Sequence, residues 1–347
     1  MPVGPHPSPS PRAAAAAVGA DAASGMWRQE LATFAPELAR LPPSMLAVNL
    51  LLLRRRVAAA RAACDEWLLS GRMTPRDLLT VAERSRQSGD LESALDFRRR
   101  AYRCEMSALG LREQDLEQAV RFCLAADGHG DPVTSPPRGY VQAVFDRYAE
   151  TFEARLVDEL DYRGPSEVYR LLAEQLQERF AGRKILDMGC GTGLAGSLYR
   201  PHAALLDGVD LSPAMIEQAR GKGLYDQLWV GDLQQLPASS ANRYDLILAV
   251  DVFIYIGELS VALAACRHLL GDGGILAASF ETGGEGCRLV DRRRYAHSVD
   301  YVCQQAAAGG WELLRVEQVS LRRERGRPLD FFVVLFAASK HVDPRDT

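Results

Sequence analysis

The sequence lacks several features that mark common specialised protein classes. Its seven cysteines are scattered, with no C-x-x-C pair and no zinc-ligand spacing. That pattern predicts reduced thiols, a cytoplasmic location and no metal site. No apolar run reaches the roughly 18–20 residues of a membrane span. The net charge of −4 gives no global basic field that would attract nucleic acid or a membrane surface. We therefore expect neither DNA nor a membrane as a partner.

Length and composition instead predict a globular protein with two domains. The chain has 347 residues, of which 47% are hydrophobic and 25% are charged, as is ordinary for soluble globular proteins. Residues 1–25 are rich in Pro, Ala, Ser and Gly and are predicted to form a disordered tail. Residues 126–139 are rich in Gly and Pro, which predicts a linker. The predicted domains are residues 26–125 and residues 140–347.

Residues 26–125 are predicted to be all-helical. Apolar residues recur there at helical spacing, and Thr74-Pro75 has the pattern of an N-cap followed by proline. Ala82, Ala94 and Ala101, around a Gly-Asp turn, resemble one tetratricopeptide-like helical pair. A generic helical bundle fits the same pattern. The apolar stripes either form a core or present a groove for a protein partner, and both hypotheses stay open.

The stretch 184–196, KILDMGCGTGLAG, has the pattern of a buried strand, a glycine turn and a helix. Gly191, Gly193 and Gly196 match the G-x-G-x-x-G spacing of a dinucleotide fold, which alone is a weak signal. Asp187 stands just ahead of the glycines. Its carboxylate would repel a pyrophosphate, and it suits a ligand that carries a cationic amine and no phosphate.

Carboxylates also stand at the ends of the next predicted strands. Asp210 lies about twenty residues beyond the first turn, the spacing at which a carboxylate accepts from both ribose hydroxyls. Asp232 and Asp251 end the third and fourth predicted strands. Because the carboxyl ends of parallel strands share one edge of an open α/β sheet, these aspartates predict a single ligand cleft.

The pattern Asp-x-Gly-x-Gly-x-Gly after an apolar strand resembles motif I of the class I S-adenosylmethionine-dependent methyltransferases. The resemblance implies S-adenosyl-L-methionine as cofactor. It also implies an α/β fold with a Rossmann-like seven-stranded methyltransferase sheet that ends in a C-terminal antiparallel hairpin. Here that sheet follows the all-α helical domain. Residues 140–165, 251–259 and 294–298 further resemble predicted methyltransferases with N-terminal tetratricopeptide-like helices.

The resemblance assigns cofactor contacts to particular residues of this chain. In many members of the family a helix just ahead of the core closes over the cofactor, and here Tyr148 or Phe152 would do so. The assigned cofactor-binding residues are Asp187, Gly189, Gly191, Gly193, Asp210, Leu211, Met215, Asp232, Leu233, Val250, Asp251 and Tyr148.

Methyl transfer needs a nucleophile held in line with the sulfonium methyl, and a general base only where that nucleophile starts protonated. His297 is the candidate base, with Tyr255 as a weaker alternative, because imidazole titrates near neutral pH. The predicted activity is methyl transfer to an O, N or S atom of a small molecule. The alternatives are a protein methyltransferase that docks its substrate on residues 26–125, an NAD-linked oxidoreductase and a non-catalytic scaffold.

Two arginine-rich segments, 292–294 and 322–327, leave two interpretations open. They suit an acidic substrate or RNA, whereas the scattered acids and the net charge favour a solvated rim. The Asn/Asp-Pro-Pro-Tyr/Phe pattern of methyltransferases that act on the amino groups of nucleic-acid bases is absent after the fourth predicted strand. Its absence argues against a nucleic-acid base as the acceptor.

Overall fold

A computed structural model describes residues 26–40, 43–53, 55–156, 160–233, 243–324 and 326–339. The predicted tail, residues 1–25, lies outside the described residues. The described chain divides into two compact units, residues 26–131 and residues 132–339.

The first unit consists of helices. Thr74 and Asp77 form a capping box at the start of α5, where the Asp77 amide donates to Thr74 Oγ1 at 3.2 Å, so the predicted N-cap is confirmed. Helices α5 and α6 pack against each other, and Trp27, Leu78 and Phe97 belong to their common apolar core. The relation of this pair to tetratricopeptide repeats stays a prediction. The helices are α1 (Met26–Ala32), α2 (Pro36–Ala39), α3 (Met45–Leu53), α4 (Val57–Leu69), α5 (Pro75–Gln87), α6 (Leu91–Ala108) and α7 (Glu113–Ala126).

The second unit alternates helices and strands. Its helices are α8 (Arg138–Tyr148), α9 (Phe152–Ala154), α10 (Gly164–Leu176), α11 (Gly196–Tyr199), α12 (Pro213–Gly221), α13 (Ser260–Leu269) and α14 (Val299–Ala308). Its strands are β1 (Arg183–Met188), β2 (Ala203–Asp210), β3 (Gln227–Val230), β4 (Tyr244–Ala249), β5 (Leu270–Thr282), β6 (Cys287–Val290), β7 (Arg294–His297), β8 (Trp311–Glu324) and β9 (Arg327–Ala338). Among the helices of the described residues, none combines the length and the apolar character that a bilayer span requires.

Seven of these strands form the predicted sheet, in the order β3-β2-β1-β4-β5-β9-β8. The first five are parallel, and β9 and β8 continue the sheet as an antiparallel pair. Asp187 lies opposite Gly208 on β2 and Leu248 on β4, so β1 is central and its carboxyl end lies beside those of its neighbours. The predicted α/β architecture with a C-terminal antiparallel hairpin is confirmed.

Two further strands extend the sheet at the carboxyl end of β5. β7 pairs with Glu281 and Thr282 in parallel, and β6 pairs with β7 in antiparallel. The sequence patterns did not indicate this addition. β8 also continues to Glu324, so Arg322, the first residue of the second arginine-rich segment, lies inside a strand.

Candidate active site

The glycine turn after β1 has a backbone conformation and a packing that exclude larger residues. Gly189, Gly191 and Gly193 have φ values of +74°, +54° and +79°, which side chains with a Cβ rarely adopt. A Cβ on Gly189 would lie 2.4 Å from Val252 Cγ2, and one on Gly193 would lie 2.9 Å from the ring of Tyr225. Glycine is therefore required here both by backbone conformation and by packing.

Asp187 is buried beside this turn, near the end of β1. The Tyr225 hydroxyl donates to its Oδ2 at 2.7 Å. Burial raises the pKa of Asp187 to about 6, the Tyr225 hydrogen bond opposes that rise, and the neighbouring Asp210 adds to it. Asp187 is thus ionised near pH 7 and loses its charge as the pH falls through about 6, and a nearby cationic group would favour its ionised form.

Asp210 ends β2 and fixes the two loops beside it. Its Oδ2 accepts from the Gly191 amide at 2.9 Å, and its Oδ1 accepts from the Ser212 amide at 2.8 Å. Burial raises its pKa, and the hydrogen bonds from Ser212 and Gly191 oppose that rise. No sequence pattern indicated Asp146 on α8, which accepts from Ser212 Oγ at 2.5 Å. Asp146 therefore ties α8 to the start of α12.

The segment after α8 lies against the glycine turn. A Cβ built on Gly191 would stand 3.9 Å from the Phe152 ring. Glu153 accepts from Thr192 Oγ1 at 2.5 Å and also binds Lys222 Nζ. Tyr148 packs instead under the Arg155 guanidinium, 4.9 Å from it. Of the two aromatic residues considered from the sequence, Phe152 is the one that covers the turn, while the role of Tyr148 stays a prediction.

The residues assigned to an adenine lie around β3 and the start of α12. Asp232 follows β3 and forms an ion pair with Arg138 at 4.0 Å. Leu233 packs on the apolar core of the sheet, Leu211 is half-buried, and Met215 is fully buried. Met215 thus presents no surface to a ligand in this structure.

Asp251 lies just beyond β4 in a left-handed conformation, with φ of +61°. Its amide donates to Ser279 Oγ at 2.8 Å, and its Oδ2 accepts from Arg322 Nη1. Its Oδ1 is buried and has no hydrogen-bond partner among the described residues. Val250, directly before it, is half-buried and packs on an apolar cluster of the sheet different from the one that Leu233 contacts. A buried carboxylate oxygen of this kind is suited to accept from a bound ligand.

A buried ion network connects Asp251 to the added strands. Arg322 is only 5% exposed, and its Nε lies 3.3 Å from Glu324 Oε1. Arg294 is 2% exposed and pairs with Glu281 at 3.0 Å and with Glu324 at 2.5 Å. Arg292 pairs with the same two acids. The interpretation of these arginine-rich segments as a solvated rim is therefore wrong for Arg294 and Arg322.

Tyr162 is a site residue that the sequence analysis missed. It precedes α10, on a segment whose Arg163 amide donates to the Leu321 carbonyl of β8 at 2.7 Å. Burial, together with the negative charge of the nearby Asp251, raises the pKa of its hydroxyl. Pairing between residues distant in the chain brings Tyr162 here, so no local sequence pattern could have identified it.

His297, the predicted base, is completely buried at the end of β7. Its Nε2 donates to the Ile256 carbonyl at 3.0 Å, and the Phe280 and Tyr301 rings pack against it. Burial lowers its pKa to about 4, and hydrogen bonds to the backbone oppose that change. His297 is therefore neutral near pH 7 and braces the turn that carries Tyr255, and its role as a base stays a prediction.

The described residues include no cluster of three or more His, Cys, Asp or Glu side chains placed to hold a metal ion.

Residues 186–276 match the family model for methyltransferase domains. That match contains the glycine turn together with Asp210, Asp232 and Asp251.

Curated relatives are methyltransferases. Human methyltransferase-like protein 27 is 33% identical over 174 residues, covering 48% of this chain and 66% of the relative. The malonyl-[acyl-carrier protein] O-methyltransferase of Serratia marcescens is 28% identical, covering 34% and 48%. The ubiquinone biosynthesis O-methyltransferase of Coxiella burnetii is 29% identical, covering 31% and 47%. This chain thus spans about half to two thirds of the length of these relatives.

Solved structures that resemble this chain include the 1,6-didemethyltoxoflavin-N1-methyltransferase of Burkholderia thailandensis. It has a TM-score of 0.48 at 16% identity and covers 61% of this chain and 94% of its own. The strand order, the glycine turn with its aspartates and the match to the domain family together identify the fold from Pro132 onward. This part of the chain contains a methyltransferase domain, and its sheet has the architecture predicted for the class I fold.

Proposed function

We propose that this protein transfers the methyl group of S-adenosylmethionine to an O, N or S atom of a small molecule. One observation carries the proposal. Asp187, Asp210 and Asp251 stand at the carboxyl ends of three adjacent parallel strands, beside a turn of three glycines in left-handed conformations. Such a surface repels a pyrophosphate and favours a cationic nucleoside without phosphate.

The residues present fit this cofactor. Asp187 would hold its ammonium group, because a buried carboxylate near pKa 6 gains most from a cationic partner. Asp210 would accept from the ribose hydroxyls, and Phe152 would cover the group that lies on Gly191. The unpartnered Oδ1 of Asp251 would accept a further hydrogen bond, on the side of the site that the methyl acceptor would occupy.

When bound, the cofactor supplies an electrophilic methyl: the carbon–sulfur bond breaks, its electron pair stays on sulfur, and a lone pair of the acceptor forms the new bond. The protein's task is to position the two molecules and to exclude water. The segment 149–156, fixed to the glycine turn through Glu153, is placed to exclude water. An acceptor that begins as a hydroxyl or ammonium would also need a base, for which His297 remains the hypothesis.

We predict that Asp210→Ala weakens binding of S-adenosylhomocysteine by about 1–3 kcal/mol, because charged hydrogen bonds are lost. Asp245→Ala is the matched control. The Asp245 carboxylate also accepts from a backbone amide, that of Lys184 at 2.8 Å, but at the opposite edge of the sheet. Calorimetric titration measures both variants. Equal affinities in the Asp210 and Asp245 variants would show that the ribose does not lie on Asp210.

We predict that affinity for S-adenosylhomocysteine depends on pH through Asp187. Its pKa is raised to about 6, so the carboxylate is protonated as the pH falls through 6 and can no longer pair with an ammonium. Affinity should fall about tenfold from pH 7 to pH 5, following the ionised fraction. In Asp187→Asn the affinity should be lower at pH 7 and nearly independent of pH. The same pH dependence in wild type and Asp187→Asn would exclude this role.

Calorimetry with S-adenosylhomocysteine and with NAD, followed by methylation of small-molecule cell extract with labelled cofactor, tests the proposal directly. We expect binding of S-adenosylhomocysteine and a labelled product of low mass. Tighter binding of NAD, or no binding of S-adenosylhomocysteine at millimolar concentration, would refute it.

A further inference from the structure

Arg322 has a buried hydrogen-bond donor that no described residue uses. Its guanidinium is 5% exposed. Nη1 donates to Asp251 Oδ2, and Nε lies 3.3 Å from Glu324 Oε1. Nε and Nη2 are both buried and have no hydrogen-bond partner within the described chain, so Nε and Glu324 form an ion pair without a hydrogen bond. Leaving a charged donor unsatisfied in the interior is costly. An unused donor at this position therefore indicates an acceptor group on a ligand.

The guanidinium is also held in a fixed orientation. Its central carbon lies 4.9 Å from the centre of the Phe331 ring, while Asp251 accepts a hydrogen bond from Nη1 and Glu324 forms an ion pair with Nε. A planar guanidinium that is held in place loses little entropy when it binds a planar anion. The geometry suits a carboxylate, which pairs with an arginine through directional hydrogen bonds.

A row of aromatic rings leads from the glycine turn toward this guanidinium. Phe152 lies against Gly191. The Phe145 ring packs edge-on against Phe152 at 6.0 Å and against Tyr255 at 5.4 Å. Tyr255 in turn packs on the apolar cluster that contains Phe331, the ring that lies against this guanidinium. A molecule that lies along this row meets apolar surface along its body and a positive charge at one end.

We propose that Arg322 binds the carboxylate of a methyl acceptor whose body is apolar or aromatic. The inference rests on the proposed methyl-transfer function, because it assigns the acceptor to the side of Asp251 away from the glycine turn. The cofactor also has a carboxylate on its methionine end. The same guanidinium would bind that carboxylate. The test therefore distinguishes a carboxylate on the methyl acceptor from the carboxylate of the cofactor.

The probe is benzoate, which combines a carboxylate with a ring, and benzamide is its uncharged counterpart. Calorimetry measures both, with the protein saturated with S-adenosylhomocysteine. The variants are Arg322→Gln and Arg322→Lys. The lysine keeps a positive charge to pair with Asp251 but removes the planar guanidinium. Arg323→Gln is the matched control, because Arg323 is exposed on the next residue of β8.

We expect benzoate to bind the wild type and Arg323→Gln equally, and benzamide to bind about tenfold more weakly or not at all. Both Arg322 variants should weaken benzoate binding by about tenfold or more, while their affinity for S-adenosylhomocysteine stays within about twofold. Retained binding of S-adenosylhomocysteine also shows that each variant is folded.

Several results would overturn the inference. One is benzoate affinity that does not change when Arg322 is replaced, and another is equal affinity for benzamide. Tighter binding of inorganic phosphate than of benzoate would contradict the choice of a carboxylate. A parallel loss of S-adenosylhomocysteine affinity would assign Arg322 to the cofactor's carboxylate. If the wild type binds no S-adenosylhomocysteine, the proposed function fails, and benzoate titration of the protein alone still tests Arg322.

Discussion

Replacing Arg294 with glutamine is expected to destabilise the methyltransferase domain by about 3–5 kcal/mol. Removing one partner from a buried ion pair leaves the opposite charge desolvated and uncompensated. Arg294 is 2% exposed, and its loss would remove the closest cation of Glu324 and the more deeply buried of the two arginines that pair with Glu281. Chemical unfolding followed by circular dichroism measures the change.

Arg288→Gln provides the control for this effect. Arg288 lies on β6, which pairs directly with the strand of Arg294, but its side chain is exposed. An exposed substitution of this kind should change stability by no more than about 0.5 kcal/mol. A loss below about 1 kcal/mol in Arg294→Gln would mean that water reaches the ion network and screens it. The description of these charges as a buried array would then be wrong.

Gly189→Ala is expected to destabilise the same domain by about 2–5 kcal/mol. A residue with a Cβ in the left-handed region costs about 1–2 kcal/mol. Overpacking adds about 1–3 kcal/mol, because the new methyl would lie 2.4 Å from Val252 Cγ2. Val252 is β-branched and buried, so it cannot easily rotate away. The free energy of unfolding measures the total.

Gly182→Ala separates the two contributions. Gly182 has the same φ of +74°, but a Cβ there meets nothing within 4 Å. Its substitution should cost only the free energy of placing a residue with a Cβ in the left-handed region. In a Val252→Ala background the cost of Gly189→Ala should fall to the Gly182 value, since the clash is gone. If Gly189→Ala costs no more than Gly182→Ala in the native background, close packing does not explain the glycine.

The parts of the site that the sequence predicted are those that local patterns determine. A buried strand followed by alternating glycines can form few structures other than a strand, a bare turn and a helix. Asp187 and Asp210 lie at the carboxyl ends of parallel strands for the same reason. Chain direction alone places them at one edge of the sheet. The closing antiparallel pair was an implication of the family resemblance, and the structure confirms it.

The other side of the site was not predictable in this way. Arg322 reaches Asp251 from 71 residues further along the chain, and Tyr162 is held by the backbone of β8. An arginine-rich segment has the same local pattern whether it is solvated or buried. Only the pairing of β8 with β9 and of β7 with β5 shows which occurs.

The sequence by itself thus determined the fold class, the glycine turn and the acidic side of the cleft, because these depend on spacing along one strand and the turn that follows it. The tertiary structure alone decided that Arg294 and Arg322 are buried and that Phe152 covers Gly191. It also showed His297 fully enclosed. The physical reason is that burial and ion pairing depend on which distant strands become neighbours, and residue spacing carries no record of that choice.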